Sequence, residues 1–306
     1  MLSSLTSARR DADRWVVCGQ KVWTTSAHHA DFGLLLARTD PDVPKHRGIS
    51  YFILPMRQPG VEVRPLRQMN GHASFNQVFL DGAVIPAGNV IGEPGQGWAV
   101  ALTTLAHERR LAPAARRAPP ARRPGRAWRE AAAESERAMA PYRWYPQRAG
   151  RPDLVIARAI EAGRHTDPLV RQEIARLITL AWSARWTAQR VAAARAAGRP
   201  PGAEGSLAKL ASSNIARRAA RVHALIAGPA GQLAGADDPA GARDPAGAGD
   251  PADGTVSEIL LSVPAVSIAG GTDQVQRTIV AERLLGLPKE PADDRGRAFR
   301  KIPKNG

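Results

Sequence analysis

The feature that most constrains this 306-residue chain is a change of pattern near residue 92. Before it, RWVVCG, KVWTTS, FGLLLART, GISYFILP, VEVRPL and NQVFLDGAVIP follow one another as short runs rich in Val, Ile, Leu, Phe and Thr. Polar, Gly, Pro and Asp breaks separate them, which is the signature of strands. Gln58-Pro59-Gly60 and Asp81-Gly82 read as turns. Closely spaced strands with no helix between them predict a sandwich or barrel. After the change, GWAVALTTLAHERR places Trp98, Leu102, Leu105 and Arg109 on or beside one helix face. LVIARAIEA, PLVRQEIARLITLAWSARWTAQRVAAARAA and SLAKLASSNIARRAARVHALIAG are Ala/Leu/Arg-rich and amphipathic, as helices are. A last helix is predicted from Asp273 to about Leu285, stopped by Gly286 and Pro288. The predicted fold class is therefore α+β. A small β-sandwich or barrel domain over residues 1–92 is followed by an α-helical bundle domain over residues 93–306. Two segments interrupt the second pattern and are expected to be flexible. Residues 112–141 are Pro/Arg/Ala-rich, and residues 237–254 repeat Asp-Pro-Ala three times.

Charge and composition narrow the function classes. The formal net charge is +15, but eight arginines against one acid lie between Arg109 and Glu130 alone. A cluster of that kind in a Pro/Ala-rich stretch reads as a solvated excursion. With no zinc-finger spacing or RNP-like run beside it, nucleic acid is not the expected partner. No apolar run reaches the length of a membrane span, and MLSSLTSARRDADRW has no apolar signal-peptide core. The single cysteine, Cys18, excludes an internal disulfide framework and fits a reducing cytoplasm. No metal-ligand spacing is present.

One turn stands out late in the chain, SIAGGTDQVQR over residues 267–277. Two glycines allow positive φ or a close backbone approach, and Thr272 or Asp273 is placed to cap the helix that follows. Three separated blocks then carry a resemblance. The first is GQKVWTTSAHHADFGLLLARTD, continued by GISYFILPM and VEVRPLRQMNGHASFNQVFLDGAVIP; the second is IGEPGQGWAVALTTLAHER. The third is GPAGQLAG with IAGGTDQVQRTIVAERLLGLPKEP. In order and spacing, from residue 14 to residue 291, they resemble the middle and C-terminal domains of the acyl-CoA dehydrogenase family.

The resemblance implies FAD as cofactor and an acyl-CoA thioester as substrate. A carboxylate takes the α-proton while the β-hydrogen leaves as hydride to flavin N5. Such a base works in a dry pocket, where desolvation raises its basicity. Trp23 and Thr25 match positions that flank the flavin ring, where an indole can pack and a hydroxyl can bond, and Ser26 is a further donor. Thr272 and Gln274 match positions that contact the flavin or its ADP part, and Gly231 matches a glycine that meets a neighbouring subunit's flavin. Many members carry the basic glutamate where this chain has Gly270; a smaller branch carries it on an earlier helix, at the position of Glu108. Glycine at 270 leaves room for Glu108 and keeps a backbone N–H for the thioester carbonyl. Arg109 matches an arginine close to the substrate.

The family implies an electron-transfer flavoprotein as acceptor and a homodimer or homotetramer. The family's Arg-Lys-Thr-Phe-Gly run, which reaches the cofactor across a dimer, is not recognisable, and EAGRHTDPL stands near its place. The blocks begin inside the β domain, without the family's N-terminal helical domain or its TEPGAGSD-like loop. Two readings follow: an acyl-CoA dehydrogenase using Glu108, or a truncated, non-catalytic subunit acting with a complete paralogue.

Overall fold

The computed structural model describes residues 6–111, 125–126, 129–130, 133, 149–199, 202–232, 254–289, 291, 294 and 296–302. Segments 112–141 and 237–254, expected to be flexible, therefore lie almost wholly outside the described residues. The chain divides into two compact units. One comprises residues 1–68, 72–138 and 291–306, and the other residues 69–71 and 139–290.

The first unit is built on a six-stranded sheet. Its strands are β1 (Ser7–Asp11), β2 (Arg14–Thr25), β3 (Phe32–Arg38), β4 (Ile49–Pro55), β5 (Val61–Leu66) and β6 (Phe75–Pro86). They stand in the order β4-β3-β1-β2-β6-β5. Neighbours are antiparallel except β1 and β3, which meet in parallel at Ser7 and Arg38. Trp15, Val17, Leu35, Phe52, Val78, Leu80 and Ile85 form one buried cluster. In a flat sheet β2 and β4, three places apart, would be separated by about 14 Å. The Trp15 and Phe52 rings nevertheless meet edge to face with centroids 5.4 Å apart. The sheet therefore curls around its own core, which is how a single sheet hides one face without a second layer.

Three local features depart from the sequence reading. RWVVCG and KVWTTS are one strand, β2, rather than two. β1, sequence SARRD, lacks the apolar alternation that marks a strand, and it forms because its backbone completes a hairpin with β2. Asp81-Gly82 is not a turn. Between the pairs Val17↔Ala83 and Gly19↔Leu80, residues 81 and 82 of β6 stand opposite Cys18 alone, with Gly82 at φ +69°. A β-bulge places one glycine in that left-handed region and bends the strand, so a Gly that signals a turn serves here to curve the sheet.

Helix α1 (Gly97–Leu111) belongs to this unit and packs on β4. Its entry is tight, since a Cβ at Gly97 would lie 2.4 Å from the carbonyl carbon of Ser50. The Ser50 hydroxyl accepts from the Gly95 N–H at 2.9 Å and fixes the approach. Residues 298–300 return to the same unit. Phe299 N–H donates to the Val43 carbonyl, and the Arg38 guanidinium lies 3.5 Å over the Phe299 ring.

The second unit is helical, with α2 (Val155–Glu161), α3 (Pro168–Ala196), α4 (Glu204–Ala227), α5 (Thr255–Ser262) and α6 (Asp273–Arg283). α3 starts where the sequence dictates: Pro168 sits in the first turn, and the Asp167 carboxylate accepts from the N–H groups of Leu169 and Val170. α4 is the central element and meets α2, α3, α5 and α6. Its buried face is lined by Ala216, Ala219, Ala220, Val222 and Ile226. Small residues there let the neighbours pack closely on both sides, giving one cluster with α2 and α3 and another with α5 and the 263–267 turn. A β domain followed by a helical domain is the architecture expected from the sequence.

Candidate functional site

The end of β2 carries the first group of site residues. The pairing of β2 with β6 runs from Lys21↔Val78 directly to Thr24↔Asn76, so Val22 and Trp23 face the single residue Gln77. This bulge leaves Trp23 at φ +62°, a conformation that costs a bulky residue about 1–2 kcal/mol. Strain should be compensated by burial if the indole served only the core. Instead Trp23 is 60% exposed, with its ring edge to face against Phe75 at 5.7 Å. Three residues on, Ser26 is also at positive φ (+54°). Its N–H donates to the Ser74 carbonyl at 2.9 Å, while its Oγ is buried with no hydrogen-bond partner among the described residues. Two non-glycine residues at positive φ and an orphaned buried hydroxyl within four positions single out this strand end as a candidate site. Thr25, the last residue of β2, pairs with Phe75 and is exposed.

Residues that the sequence reading did not single out hold this strand end. Asn76 is fully buried; its Nδ2 donates to the Thr24 carbonyl at 3.1 Å, and its Oδ1 meets His28 Nδ1 at 3.1 Å. An Asn within the apolar run FNQVFL was the available signal, because a buried amide in a strand must find partners. Lys21 stands opposite the buried Val78, and desolvation pushes its ammonium down to about 8.

Glu108 and Arg109 fall in the last turn of α1, in the same unit as Trp23. Their side chains lie outside the described residues.

The second group lies in the helical unit. Gly270 and Gly271 take φ +67° and +90°. A Cβ on Gly270 would meet nothing within 4 Å, whereas one on Gly271 would strike Gln276 Nε2 at 2.6 Å. Thr272 is the N-cap of α6, its Oγ1 accepting from the Val275 N–H at 3.2 Å. That bond leaves the hydroxyl hydrogen for another acceptor. Gln274 is exposed on the first turn. Asp273 is buried and anchors the turn: Lys209 Nζ lies 3.0 Å from its carboxylate and 2.6 Å from the Val266 carbonyl, and Arg217 lies 3.4 Å away. Burial opposes its ionisation, but Ser213 and Lys209 outweigh that and hold the carboxyl below its usual range. Gly231 is buried in the 228–232 turn, where a Cβ would meet Val256 Cγ1 at 2.9 Å. Its lack of a side chain is thus already required by packing within the unit.

The residues present fit a flavin. An exposed indole and an orphaned hydroxyl flank Thr25, and Thr272 retains a free donor at a helix start suited to anionic oxygens. No group of His, Cys, Asp and Glu suited to a metal occurs among the described residues, and no described helix is long and apolar enough to cross a membrane.

A curled sheet unit followed by a helical unit with a glycine turn at a helix start is the architecture to which the comparisons with known proteins correspond. Residues 1–82 match the acyl-CoA dehydrogenase middle domain, and residues 155–285 match the C-terminal domain of the same family. This chain belongs to the acyl-CoA dehydrogenase family. Among curated relatives, acyl-CoA dehydrogenase FadE34 of Mycobacterium tuberculosis is 34% identical over 94% of this chain and 34% of its own length. Acyl-CoA dehydrogenase IpdE1 of the same organism is 32% identical over 95% of this chain and 64% of its own length. The fold is shared with the Tcur3481–Tcur3483 steroid ACAD, with a TM-score of 0.71 at 25% identity, covering 94% of this chain and 65% of that one. It is also shared with the ChsE4–ChsE5 complex from M. tuberculosis, with a TM-score of 0.66 at 24% identity, covering 93% and 65%. The chain thus spans less than two thirds of each of these relatives.

Proposed function

We propose that this chain is an FAD-dependent acyl-CoA dehydrogenase that desaturates the Cα–Cβ bond of an acyl-CoA thioester, with Glu108 as base. The observation that carries the reading is the bare turn: Gly270 holds φ +67° with nothing within 4 Å of where a side chain would begin. A position that bears the base elsewhere in the family is here left open, and α1 offers a carboxylate at Glu108. Trp23, Thr25, Ser26, Thr272 and Gln274 would hold FAD, and Gly231 would meet the flavin of a neighbouring subunit; when bound, FAD supplies the acceptor for the β-hydrogen.

The chain's own task is the α-proton. Glu108 takes it, and exclusion of water makes that carboxylate a stronger base than in solution. The Gly270 N–H polarises the thioester carbonyl, so that charge developing on its oxygen meets a fixed donor. Arg109 anchors the substrate beside the base. An electron-transfer flavoprotein accepts the electrons, and the protein works as a homodimer or homotetramer. The relative named as a steroid ACAD makes a steroid-bearing acyl-CoA the first substrate class to assay.

The test is reconstitution of the purified chain with FAD, followed by acyl-CoA-dependent reduction of a dye. Bound yellow cofactor and turnover support the reading; a colourless protein that takes up no FAD removes its basis. A second reading, a non-catalytic subunit acting with a complete paralogue, is favoured by the two-component names of the solved relatives. It predicts co-purification with that paralogue and turnover only in the mixture.

A further inference from the structure

The glycine turn is braced from within by a side chain to which no role has been given. Gln276, one turn into α6 and 4% exposed, sends Nε2 to the carbonyl oxygens of Gly270 at 3.2 Å and Gly271 at 3.4 Å. A Cβ on Gly271 would lie 2.6 Å from the same nitrogen, so the amide sits directly against the bare turn. In a trans peptide the C=O of one residue and the N–H of the next point in opposite directions. Drawing the two carbonyls toward α6 therefore turns the N–H groups of Gly271 and Thr272 away from it. Neither N–H has a backbone acceptor among the described residues. The second brace, Lys209, holds Val266 and Asp273 and leaves these two peptide units untouched.

We propose that Gln276 is a positioning residue of the acyl-thioester site: by holding the Gly270 and Gly271 carbonyls inward, it fixes the turn from both sides of the Gly271 Cα and so sets the backbone on which the Gly270 N–H, the donor to the thioester oxygen, is carried. The inference rests on the dehydrogenase reading and adds a residue to it. A buried primary amide used only to fill space would be replaceable by an apolar side chain of the same length. One used to orient two peptide planes would not, because only a donor can hold both carbonyls.

The experiment uses the full chain with FAD and 3,3-dimethylbutanoyl-CoA, which has α-hydrogens but no β-hydrogen. Proton removal is then read alone, as deuterium entering the α-position in D2O. Gln276→Met is expected to slow exchange by about 10- to 100-fold, the scale for a misaligned donor. Thioester and FAD affinities should change less than about threefold, since their other contacts remain. Gln276→Glu has the same length and serves where the methionine variant fails to fold. Its ionised carboxyl cannot donate, so its exchange rate relative to the parent at the same pH should rise as the pH falls and the carboxyl is protonated. Exchange by Gln276→Met equal to the parent's, or a flat ratio across pH for Gln276→Glu, overturns the role of Gln276 alone. No exchange by the parent overturns the dehydrogenase reading and this inference together.

Discussion

Trp23 and Gly270 take almost the same positive φ, +62° and +67°, with the largest and the smallest side chains available. At the strand end the chain accepts strain and keeps an exposed indole. At the turn it takes a glycine, with nothing within 4 Å of where a side chain would begin. The supports differ accordingly. Asn76 holds the Thr24 carbonyl behind the strained strand end, whereas Gln276 and Lys209 hold backbone carbonyls behind the turn. In both places a buried polar side chain stiffens a backbone that regular secondary structure does not, as preorganised sites require. A left-handed residue thus points to function only when its exposure and its neighbours are read with it.

The comparison can be broken at several points, the largest effect coming from the base that the open turn implies. Glu108→Gln should lower dehydrogenation by about 10²- to 10⁴-fold, the usual contribution of a positioned base, with FAD content unchanged. Dye-coupled turnover beside the flavin spectrum checks this, and retained activity excludes Glu108.

Next in size is the anchor of the turn. Lys209→Met leaves the buried Asp273 with Arg217 as its nearest cation at 3.4 Å, and should cost about 3 kcal/mol at neutral pH. The sign with pH follows from the lowered carboxyl. Asp273 contributes its full stability above its unfolded value of about 3.9 and loses it as the pH falls through the lower folded value. Urea melts of parent and variant should therefore differ most at pH 7 and converge toward pH 3. A constant gap across that range would show that Asp273 is not the group concerned.

Smaller effects sharpen the contrast between the two glycines. Gly271→Ala adds a contact with Gln276 Nε2 to the left-handed penalty, whereas Gly270→Ala adds the penalty alone. About 2 against about 1 kcal/mol is expected in thermal unfolding. Equal losses would remove the case that Gly270 alone faces open space. The smallest stability change belongs to Trp23→Gly. Relief of about 1 kcal/mol of backbone strain should nearly offset the lost contact with Phe75, while FAD binding weakens about tenfold. A large drop in melting temperature would show that the indole is there for folding.

Much of this was legible in the residues, and the exceptions have causes. The apolar runs of 14–91 and the helical periods after Gly97 give a β domain followed by a helical domain, because burial sets both periods. The cap was legible as Thr272 or Asp273, and the Val275 N–H selects Thr272. β1 was missed because pairing, not side-chain pattern, makes SARRD a strand. Asp81-Gly82 was misread because a bulge and a turn ask the same conformation of glycine. The strain at Trp23, the orphaned Ser26 hydroxyl and the amide of Gln276 were invisible because each depends on what the folded backbone brings beside it, whereas Asn76 left a signal in FNQVFL that went unread.

The most direct measurement is an experimental structure of the full chain with FAD and 3,3-dimethylbutanoyl-CoA. It should show the Glu108 carboxylate within about 3–3.5 Å of the thioester α-carbon, with N–H groups of the 270–272 turn on the carbonyl oxygen. A Glu108 carboxylate in bulk water, with another side chain against that carbon, would contradict the account.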